Sequence, residues 1–222
     1  EAATLLRAQK HQAAREQAAR LLEEAPDARD VLKLYGAACL GLGDFEPVID
    51  LYARLLAAPC ESADEIADLR LWRANALKAM GRGPEAVADY RAALSARPDH
   101  GVAWFSLANL KTYRFADDDI TRMRAAEARP DLKEMDRVYL RFALGKALED
   151  HGDYALALPL LQQATTIEET NYGAADARVA LTLNNLALLQ GELGAWRDAD
   201  ALLERAARIE EAALGPDSPR SE

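Results

Sequence analysis

Cysteine is nearly missing from this chain: Cys39 and Cys60 are the only two among 222 residues. Two thiols make no disulfide framework, and their separation fits no Cys-x-x-Cys redox or zinc pair. A reducing cytoplasm is the expected compartment. Aromatic residues are also scarce, at 6% of a chain that is half apolar, so the apolar half rests on Ala and Leu. Such small and unbranched side chains let helix axes approach to about 8–10 Å, which points to an all-α protein. Positive charge is short as well, with 27 Lys and Arg against 37 Asp and Glu and a net charge of −10. Binding a phosphate backbone needs basic side chains that displace its counterions. A nucleic-acid partner is therefore not expected, and basic or neutral partners are.

Long apolar runs are absent. None approaches the roughly 18 residues that would span a bilayer, and the first residues lack the basic start and apolar middle of a secretory leader. No membrane partner is expected.

The groups that carry chemistry are equally thin. There is no Gly-x-x-x-x-Gly-Lys-Ser/Thr phosphate loop, and Gly41/Gly43 and Gly81/Gly83 read as helix ends. His11, His100 and His151 are scattered, with no second metal ligand at helical spacing. Asp117, Asp118 and Asp119 read as the cap and dipole partners of a short helix. Ser106 has no neighbouring base in sequence, and Cys39 falls on the inner side of a helix, where thiols behave as core. No catalytic residue, metal or cofactor is expected.

What the chain has in abundance is internal repetition. Leu-Tyr-Gly-Ala-Ala before Gly43-Asp-Phe, Ala-Asn-Ala-Leu before Gly81-Arg-Gly, Leu-Gly-Lys-Ala-Leu before Gly152-Asp-Tyr and Asn-Leu-Ala-Leu-Leu before Gly194-Ala-Trp each pair a helix with a turn. A small residue marks the middle of each first helix, at Gly36, Ala74, Ala108, Gly145 and Ala187, in steps of 38, 34, 37 and 42. In the second helices Ala14, Val48, Ala86, Ala157 and Ala199 mark a close crossing, with Tyr52, Tyr90, Leu161 and Leu203 four residues after the last four of these. The small positions are expected to touch within a hairpin, and the large ones to fill the space between hairpins.

Six units follow, at 1–28 (partial), 29–66, 67–100, 101–137, 138–179 and 180–216, forming a single array. Ser62 with Glu65 reads as a capping box, Pro84 sits in a first turn, and Pro98 and Pro130 follow helix ends. The fourth unit is degenerate: Phe115 replaces the turn glycine and Ile120 the following small residue, so a short second helix is expected. Pro159 falls inside an expected helix.

These columns resemble the tetratricopeptide repeat superfamily over essentially the whole chain. The resemblance implies a right-handed superhelix, an α-solenoid, that binds proteins or peptides. Residues 101–161, with Trp104-Phe-Ser-Leu-Ala-Asn-Leu, Met123-Arg-Ala-Ala and Phe142-Ala-Leu-Gly-Lys, resemble the repeat region of bacterial tetratricopeptide-containing sulfotransferases. The cofactor loop of that family is missing after Leu161. Residues 164–216, with Ile167-Glu-Glu, Leu183-Asn-Asn-Leu-Ala and Ile209-Glu-Glu, are similar to kinesin-light-chain-type repeats, which bind cargo and partners.

The first helices of such an array line its concave face. One helical face along them carries Lys33; Asn75 and Lys78; Phe105, Asn109, Thr112 and Tyr113; Tyr139, Phe142, Lys146 and Glu149; then Asn184, Leu188 and Glu192. Rings beside amide and ammonium groups suit an extended peptide, with Phe105 to Lys146 at its centre. The alternative is that Phe105, Tyr139 and Phe142 plug the space between hairpins. The Lys and Asn set with which chaperone-binding members grip a terminal carboxylate is not found on three consecutive units.

The leading expectation is an adaptor binding a peptide or protein segment in this groove. The rival is the non-catalytic arm of a larger enzyme, most plausibly a sulfotransferase. No polar capping helix follows Glu211, so the chain is expected to be cut from a longer protein or to form a homodimer through Leu203 and Ala206 of its last repeat. The tail Ser218 to Glu222 is a further candidate occupant of the groove.

Overall fold

The structure, a computed structural model, describes residues 1–60, 62–110 and 112–214. The tail Ser218 to Glu222, and whatever follows Leu214, lie outside the described residues. Among the described residues there are twelve helices and no strand. They fall into two compact units that meet at Arg97 and Pro98, each built of six helices. No described helix is long and apolar enough to cross a membrane.

The first unit holds α1 (Ala2–Arg7), α2 (His11–Glu24), α3 (Arg29–Leu42), α4 (Glu46–Ala57), α5 (Ala63–Ala79) and α6 (Gly83–Ala96). Each helix packs on the next in sequence. The recurring glycines explain the turns. Gly43 and Gly81 adopt φ of 72° and 74°, a left-handed conformation that costs glycine no Cβ clash. That bend lets the Gly43 N–H reach Leu40 O at 3.1 Å and the Asp44 N–H reach Cys39 O at 3.0 Å, satisfying the last carbonyls of α3. Gly81 and Arg82 repeat the pair of bonds at the end of α5.

The second unit holds α7 (Gly101–Ala108), α8 (Asp117–Glu127), α9 (Glu134–Asp150), α10 (Tyr154–Tyr172), α11 (Ala177–Glu192) and α12 (Trp196–Leu214). Gly152 and Gly194, at φ of 81° and 79°, make the same two-bond turn after α9 and α11. Phe115 stands where that turn would be after α7, and the geometry changes accordingly. Helix α7 has only 8 residues and packs on α9, as does α8. The degeneracy thus shortens the first helix as well as the second. Pro159 lies inside α10. Helices α5, α9 and α11 begin at Ala63, Glu134 and Ala177, a few residues ahead of the unit edges drawn at 67, 138 and 180. Side chains of Ser62 and Asp176 set two of these starts by accepting the Glu65 and Arg178 N–H groups.

The large residues of the second helices fill more than the space between hairpins where they were expected. Tyr52 packs on Gly36 and Leu161 on Gly145, each inside its own hairpin. Tyr90 in α6 likewise donates its hydroxyl to Asn75 of α5 at 2.7 Å. The glycine is small because a large side chain of the partner helix occupies the place of its Cβ. The bulk therefore fills the hairpin itself, and Tyr52 also reaches Trp72 of the next hairpin, at 5.8 Å between ring centroids.

Candidate functional site

The expected binding residues divide between the two units. In the first, Lys33 is held by Glu65 at 2.8 Å and Asp30 at 3.2 Å, and these carboxylates raise its pKa. Glu65 also receives Arg29 at 2.8 Å. Asn75 accepts from Tyr90, while Lys78 is exposed.

In the second unit α7 and α9 bring a cluster together. The Phe105 ring lies 5.1 Å from Tyr139 and 4.7 Å from Phe142, both tilted. Tyr139, Phe142, Lys146 and Glu149 follow one another along one face of α9 at helical spacing. Lys146 Nζ and Glu149 Oε2 pair at 2.7 Å with side chains 18% and 15% exposed. Asn109 caps α7 and donates from Nδ2 to Phe105 O at 2.9 Å. Burial, with Tyr172 and Glu168 nearby, pushes the Tyr139 phenol up to about 12.

Several expectations need correction. Phe142 is fully buried, so it belongs to the core and presents nothing to a partner; Phe105 and Tyr139, resting on it, are half-buried. Thr112 and Tyr113 are not on a first-helix face, because α7 ends at Ala108. Tyr113 instead anchors the loop, donating its hydroxyl to Asp119 at 3.1 Å and setting its ring edge-on to Phe115. Asp119 also accepts the Ala116 N–H, which is the capping role expected of the Asp117–Asp119 run. Asn184 turns to α12 and donates to Glu210 at 3.2 Å. Leu188 on the same helix is 59% exposed.

Sequence profiles of the tetratricopeptide repeat match residues 1–63, 67–110 and 135–220. The chain is a tetratricopeptide repeat protein. The stretch between the second and third matches contains α8 and the Phe115 loop, where the repeat pattern breaks down. Among solved structures, BtubC (BKLC) from P. vanneervenii is similar at 20% identity and a TM-score of 0.60, covering 96% of this chain and 94% of its own. The C-terminal part of a TPR repeat-containing protein from Cytophaga hutchinsonii is similar at 12% identity and 0.59, covering 94% and 77%. A putative kinesin light chain from Podospora anserina with nearly identical TPR-like repeats reaches 17% and 0.45 over 98% and 94%. At these identities the first two likenesses concern the fold. Among curated proteins no match was found.

Two features of this tetratricopeptide repeat protein escaped the sequence reading. Asp89, 4% exposed, accepts from Arg70 Nη1 at 2.7 Å and from Arg73 Nε and Nη2 at 2.5 and 2.6 Å. The signal was present: four residues and one residue before the small position, other first helices carry Leu32 and Tyr35, Trp104 and Leu107, Arg141 and Leu144, or Leu183 and Leu186, whereas α5 alone carries two arginines. Glu168 on α10 is also buried and accepts from Thr182 of α11 at 2.7 Å. Burial raises its pKa.

Proposed function

We propose that this protein is an adaptor that binds a peptide or protein segment on the α7–α9 face of its second unit. Tetratricopeptide repeats are protein-interaction scaffolds in general, and the reading names the surface used. The observation that carries it is the half-buried pair Phe105 and Tyr139, seated on Phe142 and continued along α9 by the Lys146–Glu149 pair. The rings supply apolar contact while the amide and ammonium groups supply hydrogen bonds. Asn184 and Leu188 of α11 extend the contact within the second unit in a long partner, and Asn75 and Lys78 offer a separate contact on the first. A homodimer through the last repeat is a second mode of association, favoured by the 44% exposure of Leu203, although Ala206, at 1%, is buried against α11 and offers no surface to a second copy; a single monomer mass in sedimentation across a hundredfold range of concentration removes it.

The test of the main reading compares proteins retained by the wild type with those retained by Asn109→Ala/Lys146→Ala. Partners lost from the double variant, with Tm within a few degrees of wild type, support the α7–α9 face. Retention of every partner by a folded double variant refutes it.

A further inference from the structure

The third hairpin departs from its neighbours in charge. The first helices before and after it carry Leu32 and Tyr35 or Trp104 and Leu107 at these places, and α9 carries one arginine, Arg141; α5 carries two, Arg70 and Arg73, and α6 answers with the buried Asp89. A buried ion cluster contributes little to stability compared with apolar residues of like volume, so packing does not explain it. The cluster opens on a cleft of about 390 Å³ between α4, α5 and α6, walled by Ile49 and Leu77. Asp89 takes one N–H from Arg70 and two from Arg73. Arg70 Nη2 and Arg73 Nη1 take no part in those bonds, and both side chains remain partly exposed, at 32% and 20%.

The charge of the lining selects the ligand. Arg70, Arg73 and Arg82 face Asp89 and Glu85, which leaves one net positive charge in a strongly acidic chain. Arg82 is already engaged, donating twice to Glu85 at 2.7 Å, and Glu46 and Asp50 act on it electrostatically. A multiply charged anion therefore meets repulsion from Asp89, Glu85, Glu46 and Asp50. A singly charged planar group meets two guanidinium edges suited to its two oxygens. We propose that this cleft binds one carboxylate carried by a peptide partner, held by Arg70 Nη2 and Arg73 Nη1, the N–H groups that do not bond Asp89. The site is independent of the α7–α9 face: it lies wholly in the first unit, and Arg70, Arg73 and Leu77 form a stripe of α5 turned away from Asn75 and Lys78.

The test is NMR of the whole chain, following the arginine Nε–Hε signals at constant ionic strength. N-acetylglutamate α-amide offers only a side-chain carboxylate, N-acetylalanine only a chain-end carboxylate, and inorganic phosphate a different oxyanion. Saturable shifts of Arg70 and Arg73 with a carboxylate, Arg82 being unmoved, are expected, and the tighter of the two names the source. Replacing Arg70→Gln, which keeps a donor toward Asp89, is expected to raise Kd at least about tenfold. The variant Arg70→Leu/Arg73→Leu/Asp89→Leu is expected to fold and to show no saturation of any remaining signal. Shifts that track ionic strength alone, phosphate binding tighter than both carboxylates, or a Kd unchanged in Arg70→Gln each overturn the proposal. Should Arg70→Gln fail to fold, the wild-type titrations decide by themselves.

Discussion

The Tyr52 hydroxyl occupies the place a Cβ would need at Gly36, only 2.6 Å from it, with two more ring atoms at 2.7 and 2.9 Å. Tyr52 is fully buried and wedged beside Trp72, at 5.8 Å between ring centroids, so the ring has no free direction in which to yield. Its hydroxyl is also buried with no hydrogen-bond partner among the described residues. Gly36→Ala should therefore lose about 1–3 kcal/mol despite alanine's better helix propensity. Tyr52→Phe should gain about 1 kcal/mol, because it removes an unsatisfied hydroxyl. Combined, the two changes should cost less than their separate effects predict, a coupling measurable in a double-mutant cycle of urea midpoints. Additive values would mean the two positions do not press on each other.

A tighter contact is made at the start of α7. The Gly101 N–H donates to Asp136 Oδ1 at 3.0 Å, and a Cβ on Gly101 would fall 2.4 Å from the Asp136 carbonyl oxygen. Here the obstacle is backbone inside α9, which cannot swing aside as a side chain can. Gly101→Ala is expected to cost about 3 kcal/mol and to expose α7 to hydrogen exchange ahead of α9. Retained protection of the Trp104 and Leu107 amides would contradict this.

The Arg70–Asp89–Arg73 cluster makes opposite predictions for partial and complete removal. Asp89→Asn leaves two guanidinium groups facing a neutral amide and should cost about 3 kcal/mol. Replacing all three residues by Leu, an apolar choice like the Leu32/Tyr35 and Trp104/Leu107 pairs of the neighbouring repeats, should restore most or all of that stability. Chemical denaturation of both variants checks the pair. A triple variant less stable than Asp89→Asn would show that the charges stabilise the hairpin.

How far the sequence could be read follows from which constraints are local. Turn glycines are legible because Gly43, Gly81, Gly152 and Gly194 each need positive φ, a demand set by a few neighbouring residues. The helix boundaries follow from the same turns and from caps such as Ser62. The binding face was less legible, because no turn glycine marks where α7 stops. Thr112 and Tyr113 fall on the right face only if α7 continues past Asn109, and Phe115 packing at 6.1 Å from Trp104 draws the chain away first. Phe142 illustrates the other limit: it shares a helical stripe with Tyr139 and Lys146, and its burial follows from tertiary packing, with α7 against α9 and the Phe105 ring 4.7 Å away.

Glu168 carries the last prediction. The residue is 3% exposed at the contact of α10 with α11, with Thr182 donating to its carboxylate and Tyr139, Asp176 and Arg178 acting on it from nearby. Burial is the leading cause that raises its pKa above 4.5, so the folded state favours the neutral form. The stability this contributes is complete below the ordinary carboxylate range and is lost as pH rises through the raised value. Other carboxylates move the opposite way, as where Arg178 holds Asp176 down to about 2, so the wild-type profile alone mixes the two. Glu168→Gln separates them, because glutamine keeps an oxygen for Thr182 and cannot ionise. The stability of the variant minus that of wild type should be flat in acid and then grow with pH, by up to about 1.4 kcal/mol per unit. A difference that stays constant from acid to neutral pH would mean that Glu168 titrates as an ordinary solvated carboxylate and that the α10–α11 contact does not depend on its proton.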